Sequence, residues 1–361
     1  MEVCMSNAGL RDCDAAAHSK SALAAMSGGV DSTVAAMLAL RSGFDCEGAI
    51  MKLRPDDGVS ETDAGTAAAQ LGISFHVFDF SDVFSGSVIE RFIDAYRKGR
   101  TPNPCVDCNK HLKFGCFQDK ARELGKDFII TGHYARIERG ADGRFLLKKG
   151  ADPEKDQSYV LYGLTQNQLA HTILPLGGLS KRQVRELALD AGLENAYKRE
   201  SQDICFVSGG NYAAFIEEYT GQALRKGRFV DIDGNYLGEN SGVARYTIGQ
   251  RRGLGLAMPY PVYVLDINPE NDTVVVGSNE LLYSKTLAIR DVNLISADNL
   301  ASPIRARVKI RYKHSEQPAT IHQTDNDAVY IEFDEPQRAI TKGQAAVIYD
   351  GDVVIGGGTI A

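Results

Sequence analysis

The chain has 361 residues, 43% of them hydrophobic and 24% charged, enough for roughly two to three domains with ordinary cores. No apolar run is long enough for a spanning helix, which needs about 18 or more residues. The formal net charge of −7 excludes a uniformly basic nucleic-acid coat but not a local basic face.

Met1–Leu10 carries Glu2 and no long apolar stretch. Residues 1–20 therefore read as a flexible lead-in without a secretory leader, and a cytoplasmic location is expected. Ala22–Met26 predicts a buried strand, Asp31–Arg41 a helix ended by Gly43, Gly48–Leu53 a second strand and Thr62–Leu71 a helix. Phe75–Phe80 predicts a third strand, Asp82–Lys98 and Lys110–Leu124 helices, and Phe128–Thr131 a fourth strand. This alternation implies a parallel sheet covered by helices, with ligands at the carboxyl ends of the strands. Ile137–Glu138 and Phe145–Lys148 form an expected hairpin. Ser180-Lys-Arg-Gln183 is a capping-box start for a helix through Ala191, with Gly192 as its stop. After Gly221, Asp233-Gly234, Asn268–Asp272 and Asp325-Asn326-Asp327 separate β-rich runs, and from Lys285 onward only strands are expected. The expected organisation is an α/β domain over 21–215, a small β-rich domain over 216–282 and a β-barrel over 283–361.

Three segments carry chemistry. Ser27-Gly28-Gly29-Val30-Asp31-Ser32 follows a strand and opens a helix. Its glycines allow a sharp bend, and the helix start offers unpaired N–H groups to a phosphate. No Gly-Lys-[Ser/Thr] follows, so it is not a Walker A loop; a merely capped helix, with Asp31 or Ser32 as the cap, is the plainer alternative. Thr101-Pro-Asn-Pro-Cys-Val-Asp-Cys-Asn109 holds Cys105 and Cys108 among Lys98, Arg100, Lys110, His111 and Lys113, surroundings that favour thiolate. A Cys-x-x-Cys without a second pair is a poor structural zinc site. In Glu200-Ser-Gln-Asp-Ile-Cys-Phe206, Cys205 is flanked by apolar residues and taken alone reads more often as a small core residue than as a nucleophile; its polar approach, Lys198 to Asp203, favours the nucleophile. With Cys4, Cys13, Cys46 and Cys116 the cysteines number seven, and a disulfide scaffold is not expected.

The first segment resembles the PP-loop of the ATP pyrophosphatase superfamily. Together with TPNPCxxCNxxLKFG, TGHYAR at Thr131–Arg136, KDQSYVLY at Lys155–Tyr162, ESQDICFV at Glu200–Val207 and YTIGQRRGLG at Tyr246–Gly255, the chain resembles the bacterial tRNA-specific 2-thiouridylases. The resemblance runs from about Met26 to the C-terminus. It implies an adenine-nucleotide α-hydrolase-like fold and adenylation of the C2 oxygen of the wobble uridine by Mg²⁺-ATP, followed by replacement of that oxygen with sulfur. It also implies that Cys108 is the nucleophile and that Cys205 carries a persulfide. Ala25, Met26, Ser27, Gly28, Gly29, Val30, Asp31, Ser32, Met51 and Gly132 match the ATP contacts. Asn103, Pro104 and Cys105 match the segment at the target base; Lys155, Asp156, Gln157, Arg311 and Tyr312 match tRNA contacts. The implied partners are tRNAs reading Glu, Gln and Lys codons, a cysteine desulfurase or relay protein, and a thiol reductant. The implied chemistry brings together two thiols 97 positions apart in the chain.

The sequence departs from the family pattern at Cys105, where many relatives have an acid/base Asp, and at Asn240, where a His is common. Cys105, Cys108 and Cys205 are also a ligand count compatible with a [4Fe–4S] cluster having one open iron. Other readings are an amide-forming PP-loop enzyme, a thiol redox protein, and a non-catalytic RNA-binding module. Finally, Arg305, Arg307, Lys309, Arg311 and Lys313 alternate with Ile304, Ala306, Val308, Ile310 and Tyr312. Period two predicts five cations on one strand face, a surface able to track phosphates. His133 reads equally as a nucleotide contact or a structural histidine.

Overall fold

The structure, a computed structural model, describes residues 20–54, 58–198, 204–325 and 327–361. Residues 1–19 of the expected lead-in, with Cys4 and Cys13, and Glu200–Asp203 of the Cys205 motif lie outside the described residues. The chain divides into two compact units. The first comprises residues 1–87, 106–200 and 350–355; the second comprises 88–105, 201–349 and 356–361.

The first unit is built on β1 (Ser21–Ala25), β2 (Asp45–Lys52), β3 (Phe75–Asp79), β4 (Phe128–Ile130) and β7 (Thr172–Ile173). They form one parallel sheet in the order β3-β2-β1-β4-β7. Helix α1 (Val30–Arg41) is buried along nine of its twelve residues, Val30 and Ser32–Ala39. A helix apolar on all sides belongs inside, and α1 joins a core with Ala22, Ile50, Ile130, Val184 and Ala188. Helix α2 (Gly58–Leu71) starts earlier than the periodicity suggests. The expected helix over 82–98 is a turn Ser81–Phe84, a π-helical stretch Ser85–Ile89 and an α-helix Glu90–Arg97. The expected helix over 110–124 starts earlier, as Pro104–Asp107, then a π-helical stretch Cys108–Cys116, then Phe117–Glu123. The hairpin is β5 (Ala135–Arg139) with β6 (Phe145–Lys149), antiparallel. The capping box at Ser180 is present: Gln183 N–H donates to Ser180 Oγ, and Ser180 N–H donates to Gln183 Oε1.

In the second unit, β8 (Gly227–Val230), β9 (Tyr236–Asn240), β10 (Tyr263–Asn268) and β11 (Thr273–Gly277) form a sheet in the order β10-β11-β8-β9. Its core holds Phe229, Val264, Val274 and Val276. The turns fall at the predicted separators, with Gly234 and Asp272 at positive φ (86° and 53°). The last strands are β12 (Tyr283–Leu294), β13 (Ile304–Lys309), β14 (Gln317–Asp325), β15 (Ala328–Arg338), β16 (Ala345–Asp350) and β17 (Val353–Ile360). They follow the order β12-β15-β14-β13-β16-β17, and β12 also pairs with β17, closing a barrel. Closure pairs the two outer strands of this set with each other, and β17 further pairs with β6 of the β5–β6 hairpin. No helix among the described residues is long and apolar enough to cross a membrane.

Candidate active site

The loop after β1 is shaped by its glycines. Gly28 has φ 70°, and a Cβ there would lie 2.6 Å from Asp63 Cβ, so no larger residue fits without displacing α2. Gly132, after β4, approaches the same place: a Cβ on it would lie 2.8 Å from Asp31 C and 2.9 Å from Ser32 N. Met26 is buried against Gly48 on β2, where a Cβ would meet its Sδ at 2.6 Å. Met51 is half-buried near the end of β2.

The helix cap is Gly29, with no side-chain hydrogen bond. The reading in which Asp31 or Ser32 caps α1 is therefore corrected. Ser32 Oγ donates to Gly29 O at 3.0 Å and accepts from Ser27 N–H at 3.2 Å, and so braces the loop. Asp31 turns to Lys181: Lys181 Nζ lies 2.6 and 2.8 Å from its two oxygens, and Tyr134 Oη donates to Oδ1 at 2.8 Å. Lys181 is 8% exposed. A lysine at the first position of a helix opposes the helix dipole, and this buried partner accounts for it. Asn195 Nδ2 donates to Thr33 Oγ1 at 2.8 Å and Gly28 O at 3.3 Å. Its Oδ1 is buried without a hydrogen-bond partner. Sequence reasoning missed Lys181, Tyr134 and Asn195 because each acts across more than 100 positions. An uncapped helix start at the carboxyl end of a parallel strand, with bare N–H groups and a neutralised carboxylate, fits a nucleotide phosphate.

His133 is buried and accepts or donates at 2.7 Å with Thr131 Oγ1. Burial, with Lys113 adding to it, holds its pKa well below the usual histidine value. Asp156 accepts from Gly150 N–H, Ser158 N–H and Ser158 Oγ, and Gln157 Oε1 accepts from Tyr134 N–H. These two side chains of the Lys155–Gln157 turn thus hold the turn together.

The Cys108 thiol is half-buried at the start of the π-helical stretch, a backbone form concentrated at functional sites. Asn109 next to it is buried and donates to Val160 O at 3.0 Å. In the second unit, Asn103 Oδ1 accepts from Cys105 N–H at 3.2 Å, starting the helical turn at Pro104. Gln344 Nε2 donates to Thr101 O, and Thr101 N–H to Lys342 O, both at 2.9 Å, so the loop before β16 holds this segment. Cys205 is exposed, while Phe206 and Val207 are each 3% exposed. Phe206 stacks edge-on with Phe92 at 5.2 Å and meets Phe215 at 5.1 Å. The apolar flank of Cys205 is therefore its anchor, and the reading of Cys205 itself as core is corrected.

Two further thiols are poor nucleophiles. Burial pushes Cys46 up to about 11 and also raises Cys116. Within neither unit do three or more described His, Cys, Asp or Glu side chains group so as to hold a metal ion.

The basic strand is also corrected. The strand ends at Lys309. Arg305 makes a two-pronged pair with Asp334 at 2.7 and 2.8 Å, and Arg307 reaches Glu316 O at 2.7 Å. Lys309 sits 5.7 Å over the Tyr312 ring. Arg311 turns inward, donating to Ala339 O and Thr341 Oγ1 at 2.7 Å each. Lys313 is exposed beyond the strand. Neighbouring acids and carbonyls, invisible to the period-two pattern, relieve the expected repulsion.

A parallel α/β unit with a glycine-shaped phosphate loop, followed by β-rich sheets, defines a PP-loop type of nucleotide-using enzyme with appended barrels. Family models described as "tRNA methyl transferase HUP domain", "tRNA methyl transferase PRC-barrel domain" and "Aminomethyltransferase beta-barrel domain" match residues 20–209, 213–278 and 284–360. The chain is 49% identical over 353 residues to the tRNA-specific 2-thiouridylase MnmA of Clostridioides difficile, covering 94% of this chain and 98% of that one. It is 46% identical to the protein of the same name from Acetivibrio thermocellus, covering 94% and 99%. The chain belongs to the tRNA-specific 2-thiouridylase family.

Proposed function

We propose that this protein uses ATP to exchange the C2 oxygen of the wobble uridine of tRNA for sulfur. The observation that carries the reading is the uncapped, glycine-lined start of α1 in a chain whose family is that of the tRNA-specific 2-thiouridylases.

Ala25, Met26 and Ser27–Ser32, with Met51 and Gly132, hold ATP, whose phosphates bring Mg²⁺. Uridine O2 attacks the α-phosphorus and pyrophosphate leaves, so AMP becomes the leaving group at C2. Cys205 carries the incoming sulfur as a persulfide. The Cys108 thiolate attacks the inner sulfur, the terminal sulfur is released to displace AMP, and a Cys108–Cys205 disulfide remains. A thiol reductant returns it to two thiols by a two-electron exchange. Asn103, Pro104 and Cys105 lie against the target base. Cys105 takes the position of an acid/base Asp without that group's chemistry. Lys155–Gln157, Arg311 and Tyr312 contact the tRNA. Residues 21–215 form the catalytic domain, 216–282 the central β-rich domain and 283–361 the tRNA-binding barrel. The acceptors are tRNAs for Glu, Gln and Lys, the sulfur comes from a cysteine desulfurase or relay, and the enzyme works in the cytoplasm.

The test is nucleoside mass spectrometry of unmodified tRNA incubated anaerobically with the protein, Mg²⁺-ATP, a persulfide source and reductant. 2-Thiouridine that requires ATP and vanishes in Cys205→Ser supports the reading. AMP and pyrophosphate without thiolated base point to another adenylating enzyme. Stoichiometric iron and sulfide in anaerobically purified protein would overturn the persulfide route.

A further inference from the structure

One motif, Tyr246–Gly255, has no role in the chemistry above. In the structure it is a braced loop of the second unit. Tyr246 is buried against Phe229, ring centres 5.1 Å apart, and Leu254 is 7% exposed in the same core. Gly249 N–H donates to Val264 O at 2.8 Å, and Val264 N–H donates to Gln250 O at 3.0 Å. Gln250 closes the turn, its Oε1 accepting from Thr247 N–H and its Nε2 donating to Arg252 O. Gly249, Gly253 and Gly255 have φ of 84°, 76° and 70°, the left-handed region that glycine tolerates.

This fixed backbone presents Arg251 and Arg252. Both are exposed, and neither guanidinium makes a hydrogen bond or ion pair with a described residue; Arg252 only accepts, through its carbonyl, from Gln250 Nε2. The contrast with β13 is direct: Arg305 and Arg307 are already paired with acids. Arg251 lines a cavity of about 230 Å³ together with Leu256, Met258, Tyr260 and Pro261. Tyr260 is 57% exposed. A guanidinium and an exposed aromatic ring beside it are the elements that hold a phosphate and a stacked base in single-stranded RNA.

We propose that the 249–260 loop is an RNA-binding site, with Arg251 and Arg252 on backbone phosphates and Tyr260 under an unpaired base. The inference rests on the tRNA reading and adds a contact region to it. A chain of net charge −7 must gather a polyanion through local unpaired cations, and two stand here on a preorganised loop, which lowers the ordering cost of binding.

The test is the Kd of an unmodified tRNA transcript across a KCl series, for wild type, Arg251→Ala/Arg252→Ala, Arg251→Lys/Arg252→Lys and Tyr260→Ala. The double alanine variant is expected to bind about tenfold more weakly, with the slope of log K against log salt reduced by about 1.4, or 0.7 per cation lost. The lysine pair is expected to keep the wild-type slope. Tyr260→Ala is expected to weaken binding at an unchanged slope. An alanine pair that binds like wild type overturns the proposal, as does a lysine pair as weak as the alanine pair, which would mean a damaged loop. Unchanged tRNA binding with lost binding of a polyglutamate peptide would assign the loop to an acidic protein instead. Wild type that binds no tRNA at any salt would overturn the thiolase reading and the inference with it.

Discussion

Replacing Lys181 by methionine isolates the Asp31 network. The substitution keeps the length of the stem and removes the ammonium that lies 2.6 and 2.8 Å from the carboxylate. Breaking a buried pair from one side costs about 3–5 kcal/mol. The Asp31 side chain is 31% exposed and keeps the Tyr134 hydroxyl, so solvent and that bond reduce the cost to about 2 kcal/mol. That lowers Tm by roughly 4–8 °C for a unit of this size. The second effect falls on ATP. A carboxylate no longer neutralised in the first turn of α1 repels a polyphosphate by about 1–2 kcal/mol at an effective dielectric near 20, which raises KM for ATP roughly 5- to 30-fold. ATP–pyrophosphate exchange gives KM, and a thermal melt gives Tm. Lys181→Arg restores most of both. A Lys181→Met protein with wild-type KM and Tm would refute the argument that Asp31 must be neutralised for the loop to take phosphate.

Phe206→Ala empties the aromatic pocket behind Cys205 and is expected to cost about 3–5 kcal/mol by urea unfolding. Persulfide-dependent thiolation should fall much further than ATP–pyrophosphate exchange; equal loss of both would contradict the anchoring role. Arg311→Ala removes the guanidinium from the Ala339 carbonyl and the Thr341 hydroxyl, which keep only their bond to each other. It should destabilise the barrel by about 1–3 kcal/mol, visible as a lowered urea midpoint in the absence of RNA. Burial depresses the His133 pKa, so the unfolded chain binds the proton more readily than the folded one. Stability from this group is complete above the unfolded pKa, about 6.5, and is lost as pH falls toward the folded value. Between pH 7.5 and 5.5 the wild type should lose up to about 1.4 kcal/mol more than His133→Gln; parallel curves would show a charged histidine in the folded state.

What the sequence made legible was local. The β1–loop–α1 unit, the Ser180 capping box and the turns at Asp233-Gly234 and Asn268–Asp272 depend on neighbours a few positions apart, and they appear where the residue types place them. Helix ends were less legible: α2 begins at Gly58 and the Cys108 helix at Pro104, because Pro and Gly at a first turn read equally as loop. Pairings across the fold were not legible at all. The period-two face from Arg305 to Lys313 looked like free positive charge, yet Asp334 and Glu316 belong to other segments. Of the two cap candidates for α1, Asp31 is drawn elsewhere by Lys181, 150 positions away, and Ser32 Oγ donates to Gly29 O. Asn240 is a buried staple donating to Arg228 O and Asp272 O at 3.1 and 3.0 Å. No local pattern announces such a bond.

The division of the chain has a consequence for its synthesis. The first unit includes residues 350–355, where Asp352 receives Arg136 at 2.6 Å and Val353 pairs with Lys148 on β6. At ~5–20 residues per second the ribosome takes roughly 8–30 s to travel from Glu200 to this segment. Throughout that interval the nascent β6 edge has no strand to pair with and Arg136 no Asp352. The nucleotide-loop unit therefore reaches its final state only after residues 350–355 have been made, and a message truncated before residue 350 yields a first unit with an open edge.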